Sequence, residues 1–185
     1  MFDIAEKQIT VHEFLQRDDF EEGYQYELIN GEIVKKQAPS PAHQMALVKI
    51  LVKLEIYVNA SKLGRCLCAP LDVYFTELDY YQPDIIFISK DRLHIITPDG
   101  VEGAPDLIVE ILSPSTARHD RDRKMKIYRR TGAREYWVAD PNNRSIEIYA
   151  QQDGDFEMTD FAMGTGEVRS RLLEGLVVDV ADVFG

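Results

Sequence analysis

The sequence predicts an α/β protein whose main β-sheet is buried on both faces, with a β-hairpin on its N-terminal side. Two nearly continuous apolar runs, PDIIFIS and PDLIVEIL, are typical of strands that are covered on both faces. Two long segments with apolar residues at helical spacing supply the helices that would cover them. The pair Asn30-Gly31 between two β-prone runs predicts the hairpin.

The first elements of the chain are predicted from capping and turn signals. Thr10 followed by Glu13 has the spacing of a capping box, so a short helix should run from Val11 to about Arg17. The segment YQYELINGEIVKKQ then forms the hairpin, because Asn and Gly supply the positive φ angles of a two-residue turn.

Two longer helices follow from hydrophobic periodicity. After Pro39 and Pro41 end the hairpin, a helix is predicted over 43–60, where the apolar residues recur at three and four positions: Ala46, Leu47, Ile50, Leu51, Leu54 and Val58. A second helix is predicted over 116–131, with Gly132 as the residue just after its end.

The remaining segments predict strands. These are CLCAPLDVYF, PDIIFIS and PDLIVEIL before the second helix, then EYWVAD, SIEIYA, a weaker strand near DFEMTDF and a short terminal LVVDV segment. Tyr136 and Trp137 lie in an apolar strand and are expected in the core. Because no linker, repeat or low-complexity tract is found, one domain over 1–185 is expected, with 151–185 as its C-terminal strands.

Length and composition agree with one domain, since 185 residues that are 45% hydrophobic can fill a sizeable core. Cys66 and Cys68 are expected to be reduced thiols, because their Cα atoms would lie roughly 6.6 Å apart on one strand. Zinc is not expected, since the four histidines lack metal-like spacing. Without a signal-like N-terminus or a run of roughly 20 apolar residues, we expect a cytoplasmic protein with no membrane partner.

The net charge of −11 argues against a protein that coats nucleic acid, because phosphate binding requires gathered Lys and Arg side chains. The charge is uneven, however. Residues 118–134 hold eight basic residues against two aspartates, a local balance of +6 that leaves −17 for the rest. This cluster is either a solvated helix surface or a phosphate-binding surface, in which nucleic acid would contact Arg118, Arg121 and Arg123.

Three acidic residues lie at or within the buried strands. Pro83-Asp84 and Pro105-Asp106 each open a strand. For Asp106, a purely structural role is an equally good explanation, because proline and aspartate are common where a turn leads into a strand. Glu110 is different, because side-chain alternation places it in the middle of a strand that otherwise consists of core residues. An unpaired buried carboxylate costs several kcal/mol, so Glu110 needs a cation, a proton or a metal.

Strand geometry selects the acids that can cooperate. Asp106 and Glu110 are four residues apart on one strand, roughly 13 Å, which is too far for one shared metal ion. Neighbouring strands lie about 4.8 Å apart, so Asp84 on the preceding strand is the natural partner of Glu110. Oxygen ligands of this kind favour Mg²⁺ or Mn²⁺, and the pair Asp84 and Glu110 is the predicted metal site.

Lys124 falls near the middle of the apolar side of the second long helix, with Asp120 one turn earlier, whereas Lys126 points to solvent. Lys124 could extend along the helix to water or pair with Asp120. Alternatively, it reaches over the sheet to Glu110 and a phosphate, where an ammonium group would position water and neutralise developing charge.

The motifs together resemble the "putative restriction endonuclease" family of the PD-(D/E)XK nuclease superfamily. The resemblance covers about 24–150, through YELINGEIV, QPDIIFIS, PDLIVEILSPST, the series Thr116, Asp120, Lys124 and Tyr128, and GAREYWVADP. It implies a restriction-endonuclease-like core with a central mixed β-sheet flanked by helices, Mg²⁺-dependent phosphodiester hydrolysis and a homodimer. It matches Asp84 and Glu110 to the PD and (D/E) positions.

The sequence departs from the superfamily pattern at one position. The expected lysine would stand at 112, which is Leu112, and Lys124 looks like its migrated replacement. Glu27 is similar to an N-terminal acidic position of the family that would orient the metal's waters, although a residue at the hairpin rim is an equal alternative. His43 would contact phosphate or act as a helper base, but a capping or surface histidine is the favoured interpretation.

Two hypotheses follow for function. In the first, the protein is a metal-dependent nuclease in which Asp84, Glu110 and Lys124 are catalytic, with DNA as the expected substrate. In the second, it is a non-catalytic module that binds nucleic acid or protein and retains the nuclease fold. The nuclease requires these three side chains to converge at an open cleft, and a closed buried cluster would favour the binding module.

Overall fold

The computed structural model describes residues 8–113 and 119–185, with the backbone alone described for 119–122. The described helices are α1 Val11–Leu15, α2 Pro41–Ser61, α3 His119–Thr131 and α4 Val180–Phe184, with a 3-10 helix at Lys90–Ile95. In chain order the strands are β1 Gln25–Ile29, β2 Glu32–Lys36, β3 Gly64–Cys68, β4 Val73–Thr76, β5 Asp79–Tyr81, β6 Ile85–Ser89, β7 Ile96–Thr97, β8 Gly100–Glu102, β9 Leu107–Ile111, β10 Glu135–Asp140, β11 Ser145–Gln152, β12 Asp155–Met163, β13 Glu167–Arg169 and β14 Val177–Asp179.

The strands form two six-stranded mixed sheets and a small β13–β14 pair. The core sheet has the order β12-β11-β10-β9-β6-β3, in which only β9 and β10 run parallel. The hairpin sheet has the order β2-β1-β5-β4-β8-β7 and is antiparallel except between β4 and β8. The predicted α/β class with mixed sheets and flanking helices is therefore confirmed, but the hairpin belongs to a second sheet.

Helices cover both faces of the core sheet. On one face α2 packs through its predicted apolar residues against side chains of β6, β9 and β10, including Phe87, Val109 and Trp137. On the other face Ile127 and Tyr128 of α3 pack against the alternate side chains of the same strands. This double coverage explains why the sequences of β6 and β9 are almost continuously apolar.

The helix ends follow local capping chemistry. Thr10 and Glu13 form the predicted capping box, although α1 ends at Leu15. The start predicted at residue 43 for α2 is wrong, because Ser40 caps the helix and Pro41 occupies its first turn, where its missing N–H costs nothing. The predicted start of α3 lies outside the described residues. At its end, Ala133 and Gly132 donate to the carbonyls of residues 128 and 129, as in a Schellman motif.

The predicted hairpin is confirmed, as are the strands predicted from PDIIFIS, PDLIVEIL, EYWVAD, SIEIYA, DFEMTDF and LVVDV, which form β6, β9, β10, β11, β12 and β14. Asn30 and Gly31 adopt φ of 51° and 76°, as the hairpin turn requires. The single strand predicted from CLCAPLDVYF is wrong, because β3 and β4 belong to different sheets and Pro70 lies between them without an N–H to donate. In the described part of the chain, no helix combines the length and apolar character that a membrane crossing requires.

Candidate active site

Asp84 and Glu110 meet because β6 and β9 are neighbours. The antiparallel register pairs Ile85 with Val109, so the next position places Asp84 opposite Glu110. Both side chains are buried, with residue exposures of 6% and 7%. The structure therefore brings together the two acids that the strand geometry selected.

Glu110 accepts hydrogen bonds from two side chains of α3. Lys124 Nζ lies 3.1 Å from Glu110 Oε1, and the Tyr128 hydroxyl donates to the same oxygen. Lys124 is itself 7% exposed. Extension of Lys124 toward solvent is therefore excluded, and the side chain reaches over the sheet to the acid. The alternative of a pair with Asp120 concerns a side chain outside the described residues.

Asp84 is held by the backbone of β9 and by α2. Its Oδ2 accepts from the Ile111 N–H at 2.7 Å and lies 3.2 Å from His43 Nε2. His43 is 8% exposed and lines the site, so its interpretation as a surface histidine is wrong. The N-terminal end of α2 faces β6, which brings the imidazole beside the carboxylate.

Glu27 is a third buried acid, and its interpretation as a rim residue is wrong. Its Oε2 lies 3.1 Å from Lys124 Nζ, while Oε1 accepts from Lys36 Nζ at 3.1 Å and from the Gln82 N–H at 3.0 Å. Both oxygens of Glu27 are thus occupied by protein donors. Lys124 bridges Glu27 and Glu110 and so links the hairpin sheet to the core sheet.

The protonation of these groups follows from burial and mutual charge. Burial raises the pKa of Glu110, and the nearby carboxylates Asp84 and Glu27 add to the rise against the opposing effect of Lys124. Burial also raises the pKa of Glu27, but Lys124 and Lys36 together bring that pKa below its ordinary value. Burial would lower the pKa of Lys124, yet the surrounding carboxylates raise it well above the usual range. Lys124 therefore carries a full positive charge at neutral pH.

The cluster lies at the bottom of a cleft of about 410 Å³. Glu27, His43, Asp84, Glu110 and Lys124 all contribute to its walls. Exposed residues of the hairpin, of the segment leading into α2 and of the start of α2 also line it: Gln25, Gln37, Pro39 and Gln44. Solvent-exposed walls that continue to buried charges give a polar ligand a path to the acids.

Among the described residues, no protein donor reaches one oxygen of Asp84 and one oxygen of Glu110. The described hydrogen bonds use Oδ2 of Asp84 and Oε1 of Glu110, and none uses Asp84 Oδ1 or Glu110 Oε2. Two opposed carboxylate oxygens at the base of a cleft fit a hard divalent cation that completes its shell with water and phosphate oxygen. Within the described ranges, no group of three or more His, Cys, Asp or Glu residues forms a metal cage.

Asp106 and Glu135 are buried acids with a different environment. Asp106 accepts from the Ser89 N–H at 2.8 Å and pairs with Arg92 at 3.0 Å. Glu135 accepts from Trp137 Nε1, from Ser170 Oγ and from the backbone N–H groups of residues 171 and 172. Asp106 Oδ1 accepts no hydrogen bond from the described residues and is neutralised by the ion pair with Arg92, whereas donors reach both oxygens of Glu135. Neither acid lines the cleft, so contacts with the protein account for their burial.

The basic cluster on α3 is largely neutralised by acids from other elements. Arg123 pairs with Glu32 at 2.9 Å, Arg129 with Asp155 at 2.7 Å and Arg130 with Asp79 at 2.5 Å. The local balance of +6 therefore overstates the positive surface that the fold presents. Lys126 is exposed, as predicted. Arg118 and the side chains of Asp120 and Arg121 lie outside the described residues.

Sequence reasoning missed three contributors to the cluster: Lys36, Gln82 and the Tyr128 hydroxyl. A signal for two of them was present. The Asn-Gly turn fixes a register in which Lys36 lies diagonal to Glu27 on the same face of the hairpin. Tyr128 follows Lys124 by four residues and so shares its helix face. Gln82 acts through its backbone N–H, for which the sequence carries no signal.

Known proteins share this architecture. The family model Uma2, described as "Putative restriction endonuclease", matches residues 11–181. The uncharacterised protein sll1609 of Synechocystis sp. is 28% identical over 153 residues, which span 80% of this chain and 84% of the relative. The crystal structure of a "putative nuclease belonging to DUF820" from Anabaena variabilis is 23% identical and has a TM-score of 0.77, with 95% of this chain and 97% of that chain covered. That structural likeness shows the shared fold.

Proposed function

Because the chain belongs to the Uma2 family, described as "Putative restriction endonuclease", we propose that it is a metal-dependent nuclease that hydrolyses phosphodiester bonds of DNA. One observation carries the proposal. At the base of a cleft, beside the buried ammonium group of Lys124, Asp84 and Glu110 each present one oxygen that accepts from no donor in the described ranges 8–113 and 119–185. This combination suits a bound cation and a phosphate group that approaches it.

Asp84 and Glu110 would hold Mg²⁺ or Mn²⁺, since both ions prefer oxygen ligands. The chemistry supplied by such an ion when bound is polarisation of the phosphoryl oxygen and a lowered pKa for water. Glu27 is excluded as a direct ligand by its two lysine partners and the Gln82 N–H. We propose that Glu27 acts instead by holding Lys124 in place.

The charge of the cluster supports a single divalent ion. Three carboxylates, Glu27, Asp84 and Glu110, stand against the ammonium groups of Lys36 and Lys124 and leave a net charge of −1. One divalent ion would change this to +1, which a phosphodiester with one negative charge would balance. Burying a neutral assembly costs far less than burying a net charge.

Lys124 is placed to act on the phosphate as a cation. Its raised pKa keeps the ammonium protonated, so it donates hydrogen bonds and does not remove a proton from water. At the buried base of a cleft, a fixed positive charge stabilises the negative charge that develops on the phosphoryl oxygens. The bonds to Glu27 and Glu110 fix its position before substrate arrives.

His43 and Arg123 have supporting roles in this proposal. The imidazole of His43 fixes Asp84 through Oδ2, which leaves Oδ1 for the cation. Arg123 is exposed beside Glu32, so a phosphate of bound DNA could replace that partner at little cost. Arg118 and Arg121 remain part of the proposal through the basic run of residues 118–134, and Asp120 through its place one helical turn before Lys124 in the family's motif series.

The alternative function is a binding module that has lost catalysis, and Leu112 at the position of the superfamily lysine favours it. The two functions predict different results with plasmid DNA. The nuclease should nick or linearise the plasmid with Mg²⁺ or Mn²⁺ and should stop when a chelator removes the ion. Glu110→Gln should yield no product under the same conditions, and equal products from both proteins would refute the catalytic assignment.

We also propose that the protein forms a homodimer, because two copies supply one active site for each strand of a duplex. The helix α2 supports this with an exposed apolar face whose residues are 49–67% accessible: Met45, Val48, Val52 and Ile56. Val52→Glu should convert a dimer to a monomer in sedimentation equilibrium, since the charge would be buried between copies. A monomeric wild-type protein would contradict the proposal.

The cytoplasm is the compartment that we propose. Cys66 and Cys68 are free thiols, which a reducing compartment preserves. Burial, with a contribution from Glu55, raises the pKa of Cys66 to about 12, so this thiol stays protonated and exchanges slowly with disulfides. Fractionation of cells should recover the protein with cytoplasmic markers, and recovery from an oxidising compartment would refute the assignment.

A further inference from the structure

Tyr128 contributes the hydroxyl group that touches Glu110, although no step of the reaction requires a tyrosine. It is fully buried on α3, one helical turn after Lys124. Its hydroxyl donates to Glu110 Oε1, the oxygen that also accepts from Lys124. Two donors from one helix therefore converge on a single oxygen of the carboxylate.

The ring of Tyr128 is fixed by other aromatic rings. Its centroid lies 5.2 Å from that of Phe75, 5.9 Å from that of Tyr81 and 5.3 Å from that of Tyr136. The Tyr81 and Tyr136 contacts are edge to face, an arrangement that stabilises aromatic pairs. A ring packed in this way cannot turn without disturbing the core, so its hydroxyl has one direction.

A fixed hydroxyl restricts the rotation of the carboxylate that it contacts. Oε1 is held by Tyr128 and Lys124, whereas Oε2 accepts from no donor in the part of the chain that the structure describes. Asp84 is arranged in the same way. Its Oδ2 is held by the Ile111 N–H and His43, and no described donor reaches its Oδ1. Each acid thus has a protein-bound oxygen and a second oxygen available to a ligand.

We propose, on the basis of the nuclease function above, that Tyr128 is a positioning residue that orients Glu110 toward the divalent ion. Groups that hold a metal ligand in place typically contribute 10-fold to 100-fold in metal affinity. Tyr128 acts through Glu110 and touches neither the ion nor the substrate. Its loss should therefore weaken metal binding more than it slows turnover once the metal is saturating.

The test compares Tyr128→Phe with Tyr81→Phe by titration with Mn²⁺, followed by electron paramagnetic resonance. Both variants keep a buried ring of the same aromatic cluster and lose one hydroxyl, but the Tyr81 hydroxyl donates to Asp79, outside the site. Tyr128→Phe should raise the Mn²⁺ Kd by about 10-fold to 100-fold, whereas Tyr81→Phe should leave it unchanged. Plasmid cleavage by Tyr128→Phe should recover toward the wild-type rate as Mn²⁺ is raised.

The possible results separate this inference from the proposed function. A wild-type Kd in Tyr128→Phe overturns the role of Tyr128 and leaves the nuclease proposal standing. An equal loss of affinity in Tyr81→Phe also overturns it, because the effect would then belong to the aromatic cluster. Wild-type protein that binds no Mn²⁺ overturns the proposed metal site and the role of Tyr128 together.

Discussion

Asp84→Asn should lose divalent-ion binding and lower plasmid cleavage by about a thousandfold or more, because one of two metal-binding carboxylates becomes a neutral amide. The effect on stability should be small. Removing one of the adjacent buried carboxylates relieves its repulsion with Glu110, which offsets weaker hydrogen bonds from the Ile111 N–H and His43. Mn²⁺ titration and thermal unfolding measure the two effects separately.

Asp106→Asn is the matched control, because Asp106 also follows a proline at the start of a buried strand. Its carboxylate pairs with Arg92 and accepts from the Ser89 N–H, far from the cleft. This variant should lose about 1–3 kcal/mol of unfolding free energy and keep its Mn²⁺ affinity. If both aspartate variants lost Mn²⁺ affinity equally, Asp84 would not be a metal ligand.

Lys124→Met should reduce cleavage by about 100-fold to 1000-fold and lower the free energy of unfolding by about 3–5 kcal/mol at neutral pH. Methionine fits the apolar side of α3, so packing is largely kept. What is lost is the cation between Glu27 and Glu110, two buried carboxylates that would then face each other. Lys126→Met, at an exposed position of the same helix, should stay within about 0.5 kcal/mol of the wild type.

The stability loss in Lys124→Met should depend on pH with a definite sign. Without the ammonium group, the raised pKa of Glu110 in the folded protein rises further, and Glu27, which keeps Lys36, loses the charge that lowers its pKa most. The folded state then binds more protons than the unfolded state, so stability falls as pH rises through these pKa values. Urea unfolding at about pH 5 and about pH 8 should show a larger deficit at the higher pH. A deficit independent of pH would mean that the loss comes from packing.

The direction of a side chain could be predicted from the sequence where it follows from the periodicity of its own strand or helix. Alternation along β9 placed Glu110 inside the sheet, strand spacing selected Asp84, and the helical wheel turned Lys124 toward Glu110. The hairpin register was likewise fixed by its two-residue turn. These inferences succeeded because each depends on fewer than two turns of helix or on adjacent strands.

The environment of the other site residues depends on contacts between distant segments. Glu27 is buried because α3 packs over the hairpin sheet and brings Lys124 into contact with it. Lys124 and Glu27 are 97 positions apart in the chain. The acids that neutralise Arg129 and Arg130 come from β12 and β5. His43 could not be placed either, since its burial requires the start of α2 to pack beside β6. No local sequence pattern encodes these contacts between distant segments.

We expect Asp84 and Glu110 together to hold one divalent cation. Anomalous diffraction from a crystal soaked in Mn²⁺ measures this directly, because it locates the ion itself. We predict one anomalous peak, bound by Asp84 Oδ1 and Glu110 Oε2, with Lys124 still in contact with Glu27. A peak bound by other residues, or the absence of any peak between the two acids, would contradict it.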